Sequence, residues 1–173
     1  GWKKFSKGLS LLAFSYGLIL LVGAASGGSN LLQPLHFASV SAGPKQQELN
    51  FQRIKTLGEL DAALRTAKQN HQPVMLDFYA DWCVACQEMA RTTFRDPQVQ
   101  QALGSMLLLQ ADVTANDTED QALQNYFQVI APPTVIFFNA QGQELSNLRI
   151  VGGVSPETFL KQLQAVAAQE KNL

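Results

Sequence analysis

The chain has two cysteines, two histidines and no acidic residue before Glu48 in its 173 residues. The shortage of ligands argues against zinc: a structural site takes four Cys or His, and Cys83, Cys86, His36 and His71 do not cluster at ligand spacing. The early stretch lacks acid but holds Lys3, Lys4, Lys7 and Lys45, which leaves nine basic against fourteen acidic residues from Glu48 onward, a net charge of −5. That balance, with no basic-aromatic stripe, argues against nucleic acid as a partner. The soluble part also lacks internal repeats and low-complexity tracts. About 125 residues suffice for one hydrophobic core.

What is present concentrates at Trp82-Cys83-Val84-Ala85-Cys86, which holds both cysteines directly after the apolar run 74–80. Two thiols three residues apart at a helix start can close a small disulfide. The free N–H groups and partial positive charge of the helix end favour a thiolate, the reactive form. A purely structural disulfide and a pair of inert buried thiols are the competing readings. The first stabilises little in so short a loop, and the second gives no reason for this spacing after a strand.

Within Val74-Met75-Leu76-Asp77-Phe78-Tyr79-Ala80 the apolar residues are too continuous for a half-exposed strand, and a buried central strand is expected with Asp77 in its middle. An unpaired buried carboxylate has a raised pKa, so Asp77 could take a proton from the Cys86 thiol during exchange. An Asp satisfied by buried water or a nearby Lys, with no catalytic role, is the plainer alternative. Downstream, Ala131-Pro132-Pro133-Thr134 precedes another apolar run. A Pro at a strand entrance leaves adjoining backbone groups free for an incoming chain; the peptide isomer stays open, with a trans turn as the simpler case.

The remaining pattern is an alternating α/β order. Residues 49–54 read as a first strand. The capping-box spacing Thr56-Leu57-Gly58-Glu59 opens a helix with Leu60, Leu64 and Ala67 on its apolar face. The cysteine helix runs from about Cys83 and breaks at Asp96-Pro97. A buried strand at 106–113 and a helix at 118–127 follow. Strands at 133–139 and 145–151 flank a hairpin at Ala140-Gln141-Gly142, and Ser155-Pro156-Glu157 caps a last helix bearing Phe159, Leu160, Leu163 and Val166.

This order, with Trp-Cys-x-x-Cys after a strand and Pro-Thr before another, resembles thioredoxin. Three segments narrow the resemblance to the C-terminal domain of the DsbD family of thiol:disulfide interchange proteins, over roughly residues 46–170. They are Leu76-Asp77-Phe78-Tyr79-Ala80-Asp81-Trp82-Cys83-Val84-Ala85-Cys86, Thr93-Phe94-Arg95-Asp96-Pro97-Gln98-Val99-Gln100, and Leu109-Gln110-Ala111-Asp112-Val113-Thr114-Ala115-Asn116-Asp117. One departure stands out: the family carries an acidic residue at the position of Ala90, and Glu88 is on the wrong helical face to replace it.

The resemblance implies a thioredoxin-like fold, a central mixed sheet flanked by helices, at 46–173. A flexible Gly/Ser/Ala-rich linker at 26–45 would precede it, and a transmembrane helix with a basic cytoplasmic flank would occupy 1–25. The uncharged residues 9–25 would make a helix of about 25 Å. A signal peptide fits the same basic start and apolar core; the opening Gly, with no initiator Met, favours a membrane helix cut from a longer protein. The domain would then sit in the bacterial periplasm, anchored to the inner membrane.

The implied activity is a protein-disulfide reductase relay without a cofactor beyond its own cysteines. Cys83, the exposed member, would attack a partner disulfide and Cys86 would resolve it. Val84 and Ala85 add no thiolate-stabilising group, which suits a reductant. Trp82 and Pro133 would border the docking surface. The partners would be a membrane electron-donor domain and a periplasmic acceptor domain or proteins bearing disulfides. A free-standing anchored thioredoxin of cytochrome c maturation, or a non-catalytic chain-binding module, is the alternative.

Overall fold

The computed structural model describes residues 49–170. The helix expected at 1–25 and the linker expected at 26–45 lie outside these residues. No described helix is long and apolar enough to cross a membrane.

Five strands form one mixed sheet in the order β1-β3-β2-β4-β5: β1 Gln52–Ile54, β2 Val74–Tyr79, β3 Leu107–Asp112, β4 Thr134–Phe138 and β5 Ile150–Val151. β1 and β2 both run parallel to β3, and β4 is antiparallel to β2 and β5. The fully apolar stretches take the middle of the sheet because both of its faces are covered there. One face carries Leu76, Phe78, Leu109 and Ile136 under α1 (Leu57–Gln69) and α4 (Thr118–Phe127). The other carries Met75, Leu108, Val135 and Phe137, packed with Met89 of α2 (Val84–Arg91), Val99 and Leu103 of α3 (Pro97–Leu103), and Phe159, Leu163 and Val166 of α5 (Pro156–Glu170).

Local chemistry sets the helix starts. Thr56 and Glu59 close the expected capping box on α1. Asp96 accepts from the N–H groups of Gln98 and Val99, ahead of Pro97 at the first position of α3, so a new helix starts there. The cysteine helix ends earlier than expected, at Arg91, and a 3-10 turn at Thr93–Arg95 fills the interval. Lys55, just after β1, binds Asp117 (2.7 Å) and the buried Asp120 at the start of α4. That contact pins the edge strand to the helix layer.

Two strands are shorter than expected. Leu49 and Phe51 pack against the core ahead of the paired segment, which begins at Gln52. The strand expected at 145–151 pairs only at Ile150–Val151. Its first half turns into a 3-10 helix, Ser146–Leu148, held where Arg149 binds Glu144 and the Phe127 carbonyl while Gln162 donates to the Leu148 carbonyl.

Candidate active site

β2 ends at Tyr79, and the Ala80 carbonyl accepts the Cys83 N–H (3.0 Å), turning the chain into α2. Cys83 is the N-cap of that helix: its Sγ accepts the N–H of Cys86 (3.1 Å), the role a Ser or Asp oxygen fills elsewhere. The two sulfurs are joined as a disulfide, with 5.3 Å between the Cα atoms. The exposure contrast expected between the cysteines is absent in this oxidised state. Cys83 keeps only 6 % and Cys86 4 % of its surface, since bonding draws both sulfurs against the first turn. The exposed groups are their neighbours Trp82 (59 %) and Val84 (76 %).

Trp82 is held by a residue that the sequence did not single out. Its indole N–H donates to the Thr114 carbonyl (3.2 Å), while the Thr114 hydroxyl accepts the Asp81 N–H (2.9 Å). The Thr114 N–H and O–H both turn to Asp112, which Arg53 also binds. Gln87 adds a bond to the Asp81 carbonyl (2.6 Å), and the Tyr79 hydroxyl donates to the Asp81 carboxylate (3.0 Å). The Thr114→Val variant loses the hydroxyl from the centre of this set at a cost of about 1 kcal/mol. It is expected to shift the backbone N–H resonance of Asp81 in NMR spectra, because that N–H loses its acceptor; an unchanged resonance would mean that the Thr114 hydroxyl does not hold this turn.

Pro133 forms the other wall. The Pro132-Pro133 bond is cis, and Pro133 is buried rather than presented to solvent. The backbone on either side of Pro132 is engaged. The Pro133 carbonyl accepts the Gly152 N–H (2.9 Å), Ala131's accepts the Thr134 hydroxyl (2.9 Å), and Pro132 has no N–H to offer. The solvent-facing apolar groups on this side are Ile130 (97 %) and Val151 (76 %). Gly152 takes φ +84°, and a Cβ on Gly153 would stand 3.3 Å from that of Ala85. The loop after β5 therefore lies directly on the turn between the cysteines, and any side chain at Gly153 would press on it.

Asp77 is buried at 3 % exposure in the middle of β2. The protein side chain that bonds it is an amide rather than a Lys: Gln110, its register neighbour on β3, donates Nε2–H to Asp77 Oδ2 (2.9 Å). Burial pushes the Asp77 carboxyl up to about 6, and the Gln110 hydrogen bond pulls back against that rise. Asp77 shares a sheet face with Met75 and Val135, the face against which Met89 of the cysteine helix packs. Ala90 is exposed, and Glu88 points outward to Arg91 (3.9 Å).

The arrangement is a helix-capping disulfide beside an exposed Trp and a cis-Pro, over a sheet with one buried acid. A family model described as a thioredoxin-like domain matches residues 60–167. The C-terminal domain of DsbD from Neisseria meningitidis, in its oxidised form, is 36% identical with a TM-score of 0.57, over 66% of this chain and 98% of that one. The chain belongs to the thioredoxin-like family and carries a DsbD C-terminal domain. The Neisseria domain is also solved in its reduced form. The thiol:disulfide interchange protein DsbD of Ralstonia nicotianae is 49% identical over 151 residues, and that of Escherichia coli K12 48% over 146. These alignments cover 86% and 84% of this chain but only 25% and 26% of the relatives, so the chain spans about a quarter of the length of the DsbD proteins it matches. A thioredoxin from Thermus thermophilus, 26% identical with a TM-score of 0.56, covers 70% of this chain and 91% of its own.

Proposed function

We propose that this domain is the reducing arm of a membrane-tethered relay, taking electrons from a membrane domain and delivering them to disulfides of periplasmic partners. The observation that carries the reading is the Cys83–Cys86 disulfide at the cap of α2, with only Val84 and Ala85 between its halves and an exposed apolar rim of Trp82, Val84, Ile130 and Val151. An apolar rim with few charges suits brief docking to more than one partner.

In the reduced domain, Cys83 thiolate attacks a partner disulfide. One partner sulfur joins Cys83 in a mixed disulfide and the other leaves as thiolate. Cys86 then loses its proton to Asp77 and attacks the Cys83 sulfur. The Cys83–Cys86 bond re-forms, and the partner's second sulfur departs and is protonated. Two electrons pass to the partner, and two from the membrane domain restore the dithiol. Trp82 and the Pro133 loop border the docking site, and the apolar stretch at 9–25 is the tether that keeps the domain at the inner membrane, raising the effective concentration of its donor.

The test uses the full-length protein with Cys86→Ala. Without its resolving thiol, Cys83 should accumulate in mixed disulfides with another domain of the same polypeptide, resolved by non-reducing gels and mass spectrometry. A broad set of unfolded secreted proteins in the trapped fraction would instead mark a general reductase.

A further inference from the structure

We propose that Gln110 is the positioning residue of Asp77, holding Oδ2 in a fixed hydrogen bond so that Oδ1 is the oxygen that takes the Cys86 proton. The inference rests on the reading of Asp77 as proton acceptor and adds a residue with a separate, testable part.

Three observations carry it. First, Gln110 Nε2–H is the hydrogen bond Asp77 receives, on Oδ2 alone, and no fully buried side-chain N or O atom among the described residues lacks a partner. Oδ1 receives no donor among the described residues and remains open to a proton. Second, register places Arg53, Gln110, Asp77 and Val135 side by side across β1, β3, β2 and β4, on one sheet face. Gln110 thus stands between Arg53 and the buried acid in the register. Arg53 is turned to Asp112 instead, and an uncharged amide is what Asp77 meets. Third, a primary amide donates without a charge of its own: it fixes the rotation of the carboxyl group without locking it in the ionised form.

The other charged or titratable groups around this face are engaged or peripheral. Tyr79, two residues along β2, donates to Asp81. On α2, Glu88 and Arg91 are exposed and face each other, next to the disulfide-bonded Cys83 and Cys86. Arg95 of the following turn is exposed, and on α5 Glu157 pairs with Lys161 at 3.2 Å in solvent. Val135 on β4 carries no charge. Burial and Gln110 are the two influences resolved on Asp77.

The chemistry stays balanced. Cys86 S–H gives its proton to Asp77 Oδ1, the resulting thiolate forms the new S–S bond with Cys83, and the partner's sulfur leaves with the electron pair of the broken bond. The proton on Oδ1 then passes to solvent or to the departing thiolate, which restores the carboxylate.

An aromatic disulfide, dithiobis(nitrobenzoate), separates the two steps in the reduced 173-residue chain. The first coloured thiolate reports attack by Cys83 and the second reports resolution by Cys86. Gln110→Met, of similar length but without a donor, should move the midpoint of the resolution pH profile upward by about one unit, the scale of a hydrogen bond to a carboxylate, and leave the first release in place. Gln110→Lys, which donates with a positive charge, should move it downward. A purely structural role would not shift the midpoint in opposite directions. Midpoints equal to the parent's in both folded variants would overturn the assignment of Gln110. Asp77→Asn run alongside separates the two failures: a second release unchanged by that substitution removes the proton-acceptor reading itself, whereas slowing by Asp77→Asn with unmoved Gln110 variants removes Gln110 alone. If one Gln110 variant fails to fold, the sign of the other's shift still decides.

Discussion

Asp77→Asn is expected to slow the resolution step by about 100-fold and, in the same molecule, to make the oxidised domain more stable at alkaline pH. The two effects have one origin. The Asp77 carboxyl is raised from 3.8 to about 6 in the fold, burial being the main cause and the Gln110 bond a partial offset. A group whose folded pKa is raised contributes its full stability below the unfolded value, and loses it as pH climbs through the folded one. Ionising Asp77 therefore costs little near pH 4 and on the order of 2–3 kcal/mol above about pH 7, since each unit is about 1.4 kcal/mol. Asn keeps an oxygen to accept from Gln110, carries no charge and escapes this cost. Urea denaturation of both proteins at about pH 4 and about pH 8 checks it: the stability difference should appear only at the higher pH. A difference independent of pH would mean that Asp77 is not ionising in the fold, and the proton role would go with it.

The second large effect separates the two cysteines. Cys83→Ser should abolish turnover with any disulfide substrate, and in the reduced parent brief iodoacetamide treatment near neutral pH should label Cys83 far faster than Cys86. The Cys83 sulfur caps α2, where a helix N–H already points at it and the partial positive charge of the helix end favours thiolate. Cys86 lies inside the first turn of α2, where it cannot occupy the cap position, and in the disulfide both cysteines belong to the same buried cluster. Peptide mapping by mass spectrometry reads the result directly, and predominant labelling at Cys86 would reverse the assigned roles. The near-equal covering of both sulfurs in the disulfide state makes this an informative experiment, since static exposure does not distinguish them.

Much of this site was legible in the residues themselves. Asp77 stood out because a charged side chain interrupted a run that only a buried strand explains. Thr56 and Asp96 announced helix starts through side chains that act within three residues of themselves, which is the range over which sequence order and spatial order coincide. Gln110 and Thr114 did not stand out. Each is an ordinary polar residue, and its meaning comes from a neighbour 33 or 32 positions away that strand pairing and the turn after β3 bring alongside. The same limit hid the contact of Gly153 with Ala85 and the early end of the pairing before Ile150, where Arg149 binds the α4 carboxyl end. The chain resemblance located the fold, and register alone located the support for the acid.

The parallel pairing of β1, β3 and β2 has a geometrical consequence for how the domain can be mounted. β1 runs in the same sense as β2, and β2 runs toward the cysteines. The chain therefore enters the domain from the end of the sheet away from Cys83. A molecule fixed to a bead or an electrode through the residues ahead of Leu49 would point its sulfurs outward, like the tip of a probe on its stalk, and one fixed through a linker inserted at the Gly152-Gly153 loop would have them covered by its own support.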